Sequence, residues 1–294
     1  MPANAVMTAP PAAPAPFELH AGALRLAVRA DLGGSIAGFW HRDLPILRST
    51  EAAALTGSRL SACYPLVPYS NRVAYRRFRW RGTDYTTERN FDDNPHSVHG
   101  VGWQKPWRVI GTGANDLGLR LDHPGDAHWP FAFEAEQWFA LEPDALTVRL
   151  VVTNTDPRPQ PMGLGWHPYF PKRARSRIHA EVAERWDPDA AQLPVRRVAQ
   201  PGIDGDVAHL AFDHCFDGWR GPARIRDERL SLALTSSLDR LVVFTPTDRP
   251  YFCVEPVSHV SNAVHMADPL AHGLRELEPG ARAEAWMRLG VVVV

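Results

Sequence analysis

The chain has 294 residues, 45% of them hydrophobic, which is enough to bury a large core and excludes general disorder. A formal net charge of −1 with 22% charged residues leaves no electrostatic footprint for nucleic acid and points to a small, neutral or weakly charged partner. Three scattered cysteines, Cys63, Cys215 and Cys253, fit neither a disulfide framework nor a zinc site's paired spacing, so a reducing cytoplasm is the expected setting.

In chain order, residues 1–16 are rich in alanine and proline, with no positive start and no sustained apolar stretch. They fail as a signal peptide and are expected to be a disordered lead-in, with one domain over 17–294. Leu24 to Val28 alternates, breaks at Gly33-Gly34 and resumes from Ile36 to Trp40. Thr50 to Ala62 is expected to form a short helix. Trp107 to Ile110 turns and returns as Leu117 to Leu121. Phe131 to Leu141 and Leu146 to Thr153 form a long hairpin, with Leu146, Val148, Leu150 and Val152 on one face. Arg224 to Leu234, Leu241 to Thr245, Tyr251 to Glu255 and Ala283 to Val293 are further strands, and Ser261 to His272 holds a helical turn or two. Twenty-seven prolines and twenty-one glycines supply the turns that so many strands need. No apolar run approaches the length that spans a bilayer. The expected fold is all-β, a large antiparallel sandwich.

Gly163-Leu164-Gly165-Trp166-His167-Pro168-Tyr169-Phe170 holds a histidine between an indole and a proline that cannot donate to a ladder. As a strand it would put Gly165, His167 and Tyr169 on one face, with the two glycines allowing a close approach to the backbone. Such a histidine taken alone is more often strand-end packing than chemistry. Asn71-Arg72, after Pro68-Tyr69-Ser70, supplies an amide and a planar fork of donors, which suits hydroxyl recognition. Arg76, Arg77, Arg79 and Arg81 read as a solvated strand surface rather than a phosphate patch.

His96 and His99 would point to opposite faces of a strand, which disfavours a shared metal and leaves His99 a single polar role. Asp213 sits among apolar residues in Phe212-Asp213-His214. Glu255 ends an apolar strand just before Pro256, and a glutamate there is at a rim or in a site. Desolvation would raise its pKa toward that of a useful base.

In this order, Pro-Tyr-Ser-Asn-Arg (68–72), His-Gly-Val-Gly-Trp (99–103), Gly-Trp-His-Pro-Tyr-Phe (165–170), Phe-Asp-His (212–214) and Val-Glu-Pro-Val-Ser (254–258) resemble the aldose 1-epimerase (galactose mutarotase) family. The matches run from about Phe17 to the C-terminus. The resemblance implies a galactose mutarotase-like supersandwich that binds a free monosaccharide such as galactose or glucose. It also implies an isomerase with no cofactor and no metal, and a monomer or homodimer would serve. By position it makes His167 the general acid at the ring oxygen and Glu255 the base at the anomeric hydroxyl. His99 becomes a second catalytic histidine, and Asn71, Arg72 and Asp213 bind hydroxyls. A carboxylate near His167 is expected to favour its charged form. Gly100 is followed by Val101 rather than a second glycine, and with Trp103-Gln104-Lys105-Pro106-Trp107 this resembles a bacterial sub-branch. The rival readings are a sugar-phosphate epimerase and a non-catalytic sugar-binding module.

Overall fold

Alternation in the sequence becomes alternation in burial. In the strand Phe133–Glu142, Phe133, Ala135, Gln137, Phe139 and Leu141 point inward, and in Ala145–Asn154 the inward set includes Leu146, Val148, Leu150 and Val152. These strands pair antiparallel from Phe133↔Asn154 to Glu142↔Ala145, as the hairpin expectation requires. The computed structural model describes residues 16–293, so the expected lead-in lies outside the described residues except for Pro16.

Two large sheets carry the architecture. The first has nine strands, in the order Arg108–Thr112, Asp116–His123, Phe133–Glu142, Ala145–Asn154, Arg282–Val293, Leu230–Ser236, Arg220–Arg226, Arg177–Glu181 and Ile203–Asp206. The second has eight strands. Its main path runs Pro194–Ala199, Glu184–Pro188, Asp213–Asp217, Arg240–Phe244, Tyr251–Val257, Gly165–Trp166 and Pro65–Leu66, and Tyr169–Pro171 also pairs with Tyr251–Val257. Phe139, Val148 and Ala285 of the first sheet and Phe216, Val243, Phe252 and Val254 of the second share one apolar cluster. That is the core of an antiparallel sandwich. A four-stranded sheet over residues 17–45 also contributes to it.

Trp166 joins the sheets. Its ring is fully buried, and Nε1 donates to Gln137 Oε1 at 3.2 Å while Gln137 Nε2 donates to the Gly34 carbonyl at 2.8 Å. Trp166→Ala removes a large core ring and orphans the Gln137 oxygen, so it is expected to cost about 3–5 kcal/mol. A fall in the urea unfolding midpoint measures this loss, and an unchanged midpoint contradicts it.

The helix expected over residues 50–62 does not form. Two 3₁₀ turns, Ala52–Ala54 and Ser58–Leu60, stand there with Gly57 extended between them. The buried Arg29 guanidinium explains the difference. It donates to the carbonyls of Ala52 at 2.5 Å and Leu55 at 3.1 Å, acceptors that a continuing helix would have used. Residues 261–272 make one such turn, Ala263–His265. Arg79 and Arg81 lie at the surface, paired with Asp84 and with Glu276 and Glu278. No helix among the described residues is long and apolar enough to cross a membrane.

Candidate active site

Strand periodicity aims the carboxylate. Along Tyr251–Val257, Phe252 and Val254 face the shared core, so Cys253, Glu255 and Val257 take the opposite face. Pairing register then brings the histidine across. Gly165 pairs with Val257 and Tyr169 with Cys253, which sets residue 167 opposite residue 255. The ladder lapses at His167-Pro168, where Pro168 has no N–H to give, so two short strands, Gly165–Trp166 and Tyr169–Pro171, flank the break. Backbone bonds to a neighbouring segment, from His167 N to the Tyr64 carbonyl and Tyr169 N to the Ala62 carbonyl, hold the break in place.

The outcome is a direct contact, with His167 Nε2 3.2 Å from Glu255 Oε1. Only 7% of His167 and 2% of Glu255 is exposed, yet both line a cleft of about 310 Å³. His99, Asn71, Arg72 and Asp213 line the same cleft. All six residues singled out in the sequence therefore converge on one space.

Aromatic rings fix the imidazole. Tyr169 stacks on His167 at 4.4 Å between centroids, Tyr64 lies at 4.8 Å, and the two phenol oxygens are 3.2 Å apart. Arg48 backs this wall, its guanidinium 3.6 Å from the Tyr169 ring and 4.8 Å from that of Tyr251. Neither Arg48 nor Tyr64 was singled out in the sequence. Tyr64 opens the Tyr-Pro run before Asn71, but nothing local marks Arg48.

Burial governs the protonation of the central pair. It pushes the Glu255 carboxyl well above its ordinary value, with the Asp213 charge adding to the rise and Arg72 opposing it. It also pushes His167 well below its ordinary value, reinforced by His99 and Arg48. The expected rise at Glu255 is found. The expected charged His167 is not, because desolvation of the imidazolium outweighs the attraction of a carboxylate that is itself driven toward neutrality.

His99 is held as a neutral donor. Asn71 N donates to its Nδ1 at 3.1 Å, which places the ring proton on Nε2. Burial and the nearby Arg72 and Arg59 charges lower its pKa to about 3. The turn behind it is tight: His99 and Gly100 have φ of 65° and 70°, and a Cβ on Gly100 would lie 2.2 Å from the Val67 carbonyl oxygen. His96 turns elsewhere, accepting from Tyr75 N and contacting the Ala191 carbonyl.

On the cleft wall, Asn71 Oδ1 accepts from Arg72 Nη1 at 2.9 Å and from Ser261 Oγ at 2.8 Å. Arg72 Nη2 lies 3.8 Å from Asp213 Oδ2. The glycines before His167 admit protein rather than ligand. A Cβ at Gly163 would strike the His259 ring, and one at Gly165 the Pro256 carbonyl.

His259 is also buried, its pKa lowered to about 4 chiefly by desolvation. Like His99, it is neutral in the folded chain but takes a proton near pH 6.5 once unfolded. Their contribution to stability is whole above about pH 6.5 and is lost as the pH falls toward their folded values, at up to about 1.4 kcal/mol per pH unit each. Urea midpoints measured from about pH 7 down to pH 4 should fall steadily. A flat profile would show that these rings are not buried neutral.

Nearly the full length of the chain has relatives in sequence and in shape. The family model for aldose 1-epimerase matches residues 17–290. The uncharacterized protein YphB of Escherichia coli K12 is 32% identical over 292 residues, covering 94% of this chain and 98% of its own. A crystal structure from Escherichia coli K12, described as a candidate aldose 1-epimerase, superposes with a TM-score of 0.86 at 30% identity, covering 95% of this chain and 99% of that one. A galactose mutarotase-like protein of Clostridium acetobutylicum shares the fold at a TM-score of 0.81 and 19% identity, over 94% and 95% of the two chains. Sequence over nearly the full length and sandwich topology agree, and the chain belongs to the aldose 1-epimerase family.

Proposed function

We propose that the protein is a mutarotase that interconverts the α and β anomers of a free aldose such as galactose or glucose. The observation that carries this reading is the buried His167–Glu255 contact of 3.2 Å, facing an open cleft walled by polar groups. Anomerisation opens a cyclic hemiacetal: a proton leaves the C1 hydroxyl while another reaches the ring oxygen, and the C1–O5 bond breaks to give an aldehyde. The two oxygens sit on one carbon, so a base and an acid in contact with each other can serve both.

The pair holds one proton. Passing it from the Glu255 carboxyl to His167 Nε2 creates the base and the acid together, without bringing net charge into the cleft. Ring opening then returns a proton to Glu255 from O1 and takes one from His167 to O5. The open-chain sugar therefore lies against a neutral pair, the state that burial favours. Rotation about C1–C2 exposes the other carbonyl face, and reclosure reverses both transfers. Each group is expected to contribute about 10²–10⁴-fold.

The neutral His99 offers Nε2–H to a sugar oxygen without competing for the proton. Asn71 has its oxygen engaged, so its amide nitrogen is the end left for a hydroxyl, beside Arg72 and Asp213. Fixed donors of this kind stabilise developing charge without reorganising.

The cleft arginines support a neutral sugar over a phosphorylated one. Arg59 is matched to Asp92, Arg72 to Asp213 and Arg249 to Asp248. The three free cysteines are all buried, in keeping with a cytoplasmic enzyme.

Polarimetry on freshly dissolved α-D-galactose, α-D-glucose, L-arabinose and D-xylose tests the reading. Faster decay than the blank, to the same final rotation, is the expected result, and the order of rates ranks the sugars. Decay at the blank rate for all four would overturn it, with saturable binding then indicating a non-catalytic module.

A further inference from the structure

Three metal-ligating atoms meet beneath the cleft. His167 Nε2 or Nδ1, Glu255 carboxylate oxygen and Cys253 Sγ all lie within 4.8 Å of one another, and all three residues are buried. The cause is the periodicity that aims Glu255. Cys253 is two residues earlier on the same strand, so its thiol takes the same face, and the register that places His167 opposite Glu255 places Tyr169 opposite Cys253. Two buried polar atoms of this cluster, Glu255 Oε2 and His167 Nδ1, have no hydrogen-bond partner.

We propose that Cys253, His167 and Glu255 form an inhibitory site for a thiophilic divalent cation such as Zn²⁺. One thiolate, one imidazole and one carboxylate are a standard zinc donor set. With bond lengths of about 2.0–2.3 Å, tetrahedral ligand atoms stand about 3.3–3.7 Å apart. The His167–Glu255 edge of 3.2 Å is already near that spacing, and Cys253 Sγ, within 4.8 Å of the other two, has at most about 1 Å to close, within reach of a side-chain rotation. The fourth position falls on the cleft side, because His167 and Glu255 both line it.

Charge balance permits occupancy. Without metal, the cluster holds the thiol proton and the one proton of the pair. Binding Zn²⁺ releases both, and the cation is balanced by one thiolate and one carboxylate, so a buried neutral cluster is replaced by another. The metal takes the lone pairs that the proposed reaction needs, so it acts as an inhibitor rather than a cofactor, and binding tightens as pH rises. Inhibition rests on the mutarotase reading, whereas binding itself does not.

The test uses the full chain without a histidine tag, freed of metal by a chelator. Co²⁺ titration is followed by the thiolate-to-cobalt charge-transfer band, Zn²⁺ binding by calorimetry, and anomerisation by polarimetry. One Zn²⁺ per chain, competition with sugar and recovery with EDTA are expected. Cys253→Ser should keep basal anomerisation, lose the cobalt band and need at least tenfold more zinc for half-inhibition, a loss on the order of that for weakening a metal site. Cys63→Ala should keep the band.

Absence of the band in cobalt-loaded wild type, or equal zinc sensitivity in Cys253→Ser, would overturn the proposal. Should the serine variant misfold, Cys253→Ala and the wild-type band decide the question. If no sugar is turned over, the mutarotase reading fails while the cobalt and calorimetric results still judge the metal site.

Discussion

Glu255→Gln is expected to lower kcat/KM for anomerisation by about 10²–10⁴-fold while leaving the fold intact. The amide matches the carboxylate in shape and can still donate to His167 across the 3.2 Å gap, but it accepts no proton from O1. Stability should not fall, and a rise is in keeping with the site, because the native carboxyl is buried where its charged form is disfavoured. Polarimetry with the blank subtracted gives the rate, and thermal unfolding gives the stability. A variant retaining more than about a tenth of wild-type activity would remove Glu255 from its proposed role.

His167→Asn should bring a loss of similar size, because the ring oxygen then has no proton donor as it leaves C1. The asparagine is smaller, so some of this loss comes from the space left between Tyr64 and Tyr169, whose rings now hold the imidazole. Two further readouts separate chemistry from packing. The double variant with Glu255→Gln should fall little below either single variant, since the two groups pass protons as a unit. Its residual activity should also lose the pH dependence of the wild type, in which one proton must be held between the two groups. Losses that multiply, or an unchanged pH profile, would show that His167 only shapes the cleft.

Much of this was legible before any coordinates. Period-two alternation named the inward face of Ala145–Asn154, and Pro168 announced the break in the ladder. The ordered motifs named six of the polar residues that line the cleft, though not Arg59, Asn94 or Arg249. Which face a strand side chain takes depends only on its position along the strand, whereas the site residues were named by the resemblance of the ordered motifs to a known family.

What needed the tertiary structure is whatever depends on residues far apart in the chain. The apposition of His167 and Glu255 comes from long-range register, Gly165 to Val257 and Tyr169 to Cys253. The same register draws Cys253 into the cluster, although its spacing from Cys63 and Cys215 gave no hint of a ligand. Arg29 claimed the carbonyls of an expected helix from a distant strand, and Arg48 backed the aromatic wall. The sharpest difference concerns charge. Sequence chemistry favoured an imidazolium at His167 beside a carboxylate, whereas the folded site favours neutral forms of both. Proximity of charges can be guessed from a motif, but desolvation is imposed by everything packed around the pair.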